Sequence, residues 1–310
     1  MIQSGAAFQL PKQAHPYIDN ITARCRDLIE QQIWQGIHIS NFNRWMTNFV
    51  TDEERYFAAC VLDSLIYRSE DQTLALIKQL FQRILPDLAR QAIPPVGKNI
   101  DWQNILNKKE IVDPKIRLIP VRKRDDSPAK SAHFVLRLMK RNLEIGEQWM
   151  SAASGIPDCI GKGVETFIFI DDFLGTGVQF EEFFLDEQLE VYRNNVYMAY
   201  LPLAGHDTGI ARLNNLFPEL HVKPIERLDN SHCLFSSESQ CFKDGTNLPD
   251  VAKNFYYELL KKRHIDIAGP DRRGYGCLEL AYFFSHAAPD NCLPILWWNK
   301  STSWKPLFRR

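Results

Sequence analysis

No stretch of this 310-residue chain approaches the ~18 consecutive apolar residues of a membrane-crossing helix. The first residues, MIQSGAAFQLPKQAH, have no basic start leading into an apolar run, so no secretory signal is expected. The seven cysteines (Cys25, Cys60, Cys159, Cys233, Cys241, Cys277 and Cys292) form no CxxC pair. His232-Cys233 with Cys241 also lacks the paired spacing of a structural zinc site. An odd, scattered set argues against a disulfide framework, so reduced thiols in a cytoplasmic protein are the expectation. An excess of one charge is missing too. The 37 Lys and Arg against 38 Asp and Glu leave −1, so a broad grip on nucleic acid or membrane is not indicated. Internal repeats and low-complexity tracts are absent. What is present is globular in texture: 45 % apolar and 24 % charged residues, which excludes a disordered tail, a collagen or a disulfide-stapled miniprotein. Domains commonly run ~100–200 residues, so the length suggests two domains or one large one.

The first part of the chain reads as helical. Ile18, Ile21, Cys25, Leu28, Ile29 and Ile33 recur at the three- and four-residue spacings of one helix face. Thr51, with Glu54 three residues later, predicts a capped helix start ahead of Phe57, Ala58, Val61, Leu62 and Leu65. A third helix is expected from Glu70-Asp71 through Leu85, stopping before Pro86, with Trp34, Trp45 and Phe49 packed between the helices. Pro94-Pro95-Val-Gly97 is the clearest break. A helical domain over 1–95 and an α/β domain over 96–310 are therefore expected. Beyond the break, strands at Ile116–Val121, Glu165–Ile170, Val196–Leu203, His221–Leu228 and Leu293–Trp298 are predicted. Helices at Ala132–Arg141, Val178–Gln188, Thr208–Leu216 and Val251–Arg263 alternate with them. Alternation of this kind predicts a parallel sheet covered by helices on both faces.

The most informative stretch is Thr166-Phe-Ile-Phe-Ile-Asp171-Asp172-Phe-Leu-Gly175-Thr176-Gly177-Val178-Gln179. A buried strand ends in two carboxylates, and a short loop then opens a helix. Ligands of open α/β sheets bind beyond the carboxyl ends of the strands. The free N–H groups at a helix start suit a phosphate. Glycines at 175 and 177 allow the backbone to approach an anion closely, and Thr176 adds a hydroxyl. Adjacent carboxylates accept hydrogen bonds from vicinal hydroxyls, as on a ribose. Together these residues read as a receptor for a sugar phosphate; taken alone, an Asp-Asp at a strand end is a solvated turn.

This stretch resembles the phosphoribosyl-pyrophosphate (PRPP) signature of the type I phosphoribosyltransferases. The resemblance implies a type I phosphoribosyltransferase-like parallel sheet core behind the helical N-terminal domain. It implies that Asp171 and Asp172 hold the ribose 2′ and 3′ hydroxyls, and that Gly175, Thr176, Gly177, Val178 and Gln179 wrap the 5′-phosphate. Two positions depart from the family: Gly175 stands where a first Thr is usual, and Gln179 where a second Thr or Ser commonly binds phosphate. Backbone donors survive both changes, but side-chain contacts are fewer. Trp45-Met-Thr-Asn-Phe49, Leu62–Glu70, Gly274-Tyr275-Gly276 and the ending Pro289–Trp297 with Trp304–Phe308 are similar to a bacterial (PRTase-CE-like) subgroup. That subgroup is associated with predicted conflict, or anti-phage, systems.

Such a transferase breaks the C1–O bond to pyrophosphate through an oxocarbenium-like state and needs no covalent protein nucleophile. The resemblance implies Mg²⁺ bridging pyrophosphate and ribose oxygens near Asp171 and Asp172, an indirect metal site of hard oxygen ligands. The pyrophosphate side needs cations and donors after the first core strand. Residues 105–141 carry eleven Lys/Arg and four Asp/Glu, a local +7. Arg122, Lys123, Lys130 and Ser131 are the candidates there; a solvated basic face is the competing reading. On the acceptor side, Arg272, Arg273 and Tyr275 supply cations and an aromatic ring, or else a Gly-rich turn. His133, His206, His232, His264 and His286 are dispersed and carry no catalytic signature.

The sequence thus leads to a PRPP or related ribose-phosphate nucleotide site with Mg²⁺, in an effector of bacterial defence. The alternative is a catalytically inactive nucleotide-sensing or regulatory subunit whose residues 1–95 bind a protein partner. A receiver-like phospho-acceptor fold leaves the Gly-Thr-Gly loop without a role. The acceptor, and whether the chain forms a homo-oligomer, stay open.

Overall fold

A computed structural model describes residues 7–92, 101–122, 131–242, 245–267, 269–300 and 303–308. Its strands are β1 (Ile66–Arg68), β2 (Ile116–Pro120), β3 (Thr166–Leu174), β4 (Tyr197–His206), β5 (Leu220–Val222), β6 (Glu226–Leu228) and β7 (Tyr282–Phe284). Its helices begin with α1 (Ala14–Glu30), α2 (Ile39–Met46), α3 (Asp52–Asp63), α4 (Glu70–Gln79), α5 (Leu85–Ala92) and α6 (Trp102–Ile105). They continue with α7 (Ser131–Asn142), α8 (Ile156–Gly161), α9 (Val178–Asp186), α10 (Asp207–Leu216) and α11 (Pro249–Lys262). Two compact units contain them: Asp71–Leu228, and Met1–Glu70 together with Asp229–Arg310.

The unit Asp71–Leu228 is built on a parallel sheet in the order β2-β3-β4-β5, with β6 also pairing β4. β3 is central because Thr166-Phe-Ile-Phe-Ile is apolar on both faces, the pattern of a strand covered twice. Its neighbours align Ile116 with Thr166 and Pro120 with Ile170 on one side. On the other side they align Thr166 with Tyr197 and Leu174 with Gly205. Phe167, Phe169, Met198 and Tyr200 project from one face into a core with Ile156, Phe180, Phe183, Phe184 and Leu213, carried by α8, α9 and α10. On the other face, Leu85, Leu88 and Trp102 close over Ile116, Thr166 and Ile168. Both faces are covered, as the alternating pattern predicts, and the carboxyl ends of β2, β3 and β4 share one edge.

The second unit joins the two ends of the chain. Trp45 Nε1 donates to the Ile295 carbonyl at 2.8 Å, and Asn48 Nδ2 to the Lys305 carbonyl at 2.8 Å. β1 runs parallel to β7, and the rings of Tyr67, Phe308 and Phe283 stack in sequence beside the pair. Glu54, only 3 % exposed, binds Lys262 Nζ at 2.7 Å and Arg263 Nη2 at 2.5 Å, fastening α3 to α11. The Thr51 cap is real, its hydroxyl accepting from the Glu54 N–H at 3.2 Å.

Several expectations are corrected here. The compact units do not follow a cut at residue 95: the helices before Glu70 share a unit with the C-terminal segment, and the sheet unit begins at Asp71. Trp45 and Phe49 accordingly pack against Ile295 and Trp304 rather than only between N-terminal helices. The helix expected to stop before Pro86 continues. A π-helical turn over Leu80–Ile84 interrupts its hydrogen-bond pattern and leads straight into α5, which carries Pro86 as its second residue. His221–Leu228 splits into β5 and β6 around Lys223-Pro224. Leu293–Trp298 is not a strand but a 3-10 turn at Pro294–Leu296; its apolar residues are buried as a packed segment, which the sequence pattern alone does not distinguish from a strand.

Candidate functional site

β3 runs past the expected end at Ile170 to Leu174, so its two acids lie inside the strand, just beyond the last β2 pairing and still beside β4, and out of water: Asp171 is 2 % and Asp172 5 % exposed. Both Asp171 oxygens are occupied. Oδ1 accepts the Asp172 N–H at 2.9 Å, and Oδ2 accepts the Tyr200 hydroxyl at 3.2 Å. Burial first, and the neighbouring Asp172 charge second, push the Asp171 carboxyl well above the usual carboxylate range. Burial first, and Asp171 second, likewise push the Tyr200 hydroxyl well above its ordinary value, so it stays a donor.

The loop that follows is held by its backbone. Gly177 sits at φ +84°, the left-handed region, and leads directly into α9, which no side chain caps. A Cβ at Gly177 would stand 3.2 Å from the Gly209 carbonyl oxygen and 3.3 Å from Leu213 Cγ. A Cβ at Gly209 would come within 2.4 Å of the Gly175 carbonyl oxygen, so the first turn of α10 is pressed onto the loop. Arg212 of α10 reaches back to Glu181 of α9 at 2.6 Å. Thr176 and Val178 are half-buried and Gln179 is exposed. The uncapped N–H groups at the start of α9, with the positive end of its dipole, form an anion-accepting edge.

The other strand ends lie on the same edge. The Val121 N–H donates to the Ile170 carbonyl at 3.0 Å, which carries Arg122 to the level of the acid pair. Arg122 is half-buried and makes no side-chain hydrogen bond or ion pair among the described residues. Other cations of the basic segment are spent locally. Arg117 pairs with Asp113 at 2.6 Å and lies over the Trp149 ring, Lys115 donates to the Lys162 carbonyl at 3.1 Å, and Lys140 pairs with Glu147. Ser131 opens α7, while Lys123 and Lys130 lie outside the described residues. At the end of β4, buried His206 caps α10, its Nδ1 accepting the Thr208 N–H at 3.2 Å.

The acceptor-side candidates belong to the other compact unit. Arg273 is tied to buried Glu279, whose other oxygen accepts the Phe235 N–H at 3.1 Å. Arg272 Nε donates to the Ile267 carbonyl at 2.8 Å. Tyr275 is 40 % exposed, with its N–H on the Asp290 carbonyl at 2.7 Å. The site residue that sequence reasoning missed is Tyr200. It sits in an apolar run, Val196–Leu203, where nothing separates a working tyrosine from a core one.

Among the described residues, no three His, Cys, Asp or Glu side chains converge as a metal-binding group. Carboxylate oxygen is the donor type Mg²⁺ takes, but both Asp171 oxygens are engaged within the chain, so an ion at the pair would draw most of its shell from water and ligand oxygens. No helix among the described residues is long and apolar enough to cross a membrane.

A parallel sheet whose central strand carries an acid pair near its carboxyl end, followed by a Gly-Thr-Gly turn into a helix, makes this a phosphoribosyltransferase-like α/β protein. More narrowly, the profile of the PRTase-CE family matches residues 42–310, and the chain belongs to that family. A search of curated proteins finds no match.

Proposed function

We propose that the sheet edge formed by Asp171, Asp172 and residues 175–179 binds the ribose and 5′-phosphate of PRPP or a related ribose-phosphate nucleotide. The observation that carries this is the junction of β3 and α9: buried acids, then a left-handed Gly177, then an uncapped helix start. In this reading the N–H groups of the loop and of α9 hold the phosphate, and the acid pair takes the ribose hydroxyls. Arg122 stands on the pyrophosphate side. Asp171 and Asp172 would hold Mg²⁺ indirectly, and the ion would supply positive charge against the pyrophosphate. The chemistry is transfer or cleavage at the anomeric carbon, in an effector of bacterial anti-phage defence. Calorimetric titration with PRPP and Mg²⁺ tests the binding: saturation by the wild type and its loss in Asp172→Asn are expected, and an unresponsive wild type rejects it.

A second reading has its own observation. Asp171 has both oxygens occupied internally, and Gly175 and Gln179 remove two hydroxyls from the phosphate loop. A nucleotide-sensing subunit that binds without turnover, signalling to a protein partner through its N-terminal helices, fits these features. Release of pyrophosphate from PRPP distinguishes the two: turnover favours the transferase, and binding without release favours the sensor.

A further inference from the structure

We infer that Tyr200 is the positioning residue of this site, holding the acid pair and the phosphate loop in one geometry. The inference rests on the ribose-phosphate reading above and adds a residue to it. Tyr200 is 1 % exposed and lies beside Phe169 in the β3–β4 register, two residues before Asp171. It has two ends with different duties. Its hydroxyl donates to Asp171 Oδ2 at 3.2 Å. Its ring stacks on Phe180 with centroids 4.0 Å apart and planes at 21°. Phe180 is in the first turn of α9, the helix whose N-terminus closes the loop, and its ring also meets Phe169 edge-on at 5.6 Å.

One side chain therefore touches the first acid through oxygen and the phosphate-loop helix through carbon. Asp171 is held at both oxygens, by Tyr200 and by the Asp172 N–H, so the direction of Asp172 is set by an anchored neighbour. A residue serving only as core filler has no use for the hydroxyl. Phenylalanine would fill the same space without the cost of burying a polar group. The hydroxyl is what distinguishes a strut from a filler.

Tyr200→Phe removes the hydroxyl and keeps the ring stack. The wild type and this variant are titrated with ribose 5-phosphate plus Mg²⁺, and separately with inorganic phosphate. The expected result is a loss of roughly tenfold in ribose 5-phosphate affinity, with inorganic phosphate changed by less than about twofold. Parallel losses for both ligands would mean general loosening of the core and would overturn the inference, as would no change for either. If the wild type binds neither ligand, the ribose-phosphate reading itself fails and the inference falls with it. Should the variant not fold, tyrosine-labelled wild-type protein replaces it in an NMR titration. The Tyr200 ring signal is expected to shift more with ribose 5-phosphate and Mg²⁺ than with inorganic phosphate. A stationary signal, or equal shifts with both, contradicts the inference.

Discussion

Asp171 shows how one position is asked to do two things. It must keep its place near the carboxyl end of the central strand, and it must do so as a buried acid beside Tyr200 and next to a second acid. The Tyr200 hydroxyl and the Asp172 N–H compensate part of that burial, yet its pKa remains raised. An unfolded aspartate has a pKa near ~3.9, so above that value the folded state binds the extra proton. This group's contribution to stability is therefore greatest below that pH and is lost as pH rises through the raised folded value. Asp171→Asn removes the titration. Chemical denaturation across a pH series should show the wild type losing stability relative to Asp171→Asn as pH rises. Curves that stay parallel would mean the carboxyl is not buried as described. Asp113 works in the opposite sense: its hydrogen bonds from Arg117 lower it to about 2, so its contribution is lost as pH falls toward that value.

At the scale of elements, the glycines at 177 and 274 answer to different constraints. Gly177 adopts φ +84° and a Cβ there would meet its neighbours at a tight 3.2–3.3 Å, so Gly177→Ala is expected to cost about 1–2 kcal/mol, mostly backbone strain. Gly274 adopts φ +80° and ψ 156°, and a Cβ there would lie 2.2 Å from the Asn291 carbonyl oxygen. Gly274→Ala is expected to cost roughly 3–5 kcal/mol, since strain and a backbone clash add. Urea titration of both variants checks the order; equal losses would contradict it. The same contrast explains what was legible. The strands and helices around the acid pair were readable because apolar runs, a Gly-Thr-Gly loop and a Thr51 cap are local signals. Local composition makes Arg272, Arg273 and Tyr275 acceptor-side candidates, while their bonds to Ile267, Glu279 and Asn291 are set by the fold and not by a sequence pattern. β1 and β7 were invisible for the same reason: each is three residues long and finds its partner at the far end of the chain.

For the whole molecule, the break at Pro94–Gly97 proves a poor guide to folding units. The composition shift is real, but units are defined by contacts, and Trp45 with Ile295, Asn48 with Lys305 and Glu54 with Arg263 are all distant in sequence. A chain truncated to residues 96–310 would leave the Asp229–Arg310 segment without its Met1–Glu70 counterpart. Deleting 1–95 should abolish cooperative thermal unfolding of that segment, seen as loss of the tryptophan near-ultraviolet signal. A truncated protein that keeps the signal and the transition would show that the two ends do not form one unit. A crystal structure with PRPP and Mg²⁺ is the decisive measurement for a ribose-phosphate site at the edge of the parallel sheet. The 5′-phosphate is expected on the N–H groups of residues 175–179 and the ribose hydroxyls at the acid pair. Saturating ligand that leaves this edge empty, or a phosphate bound elsewhere in the chain, would contradict it.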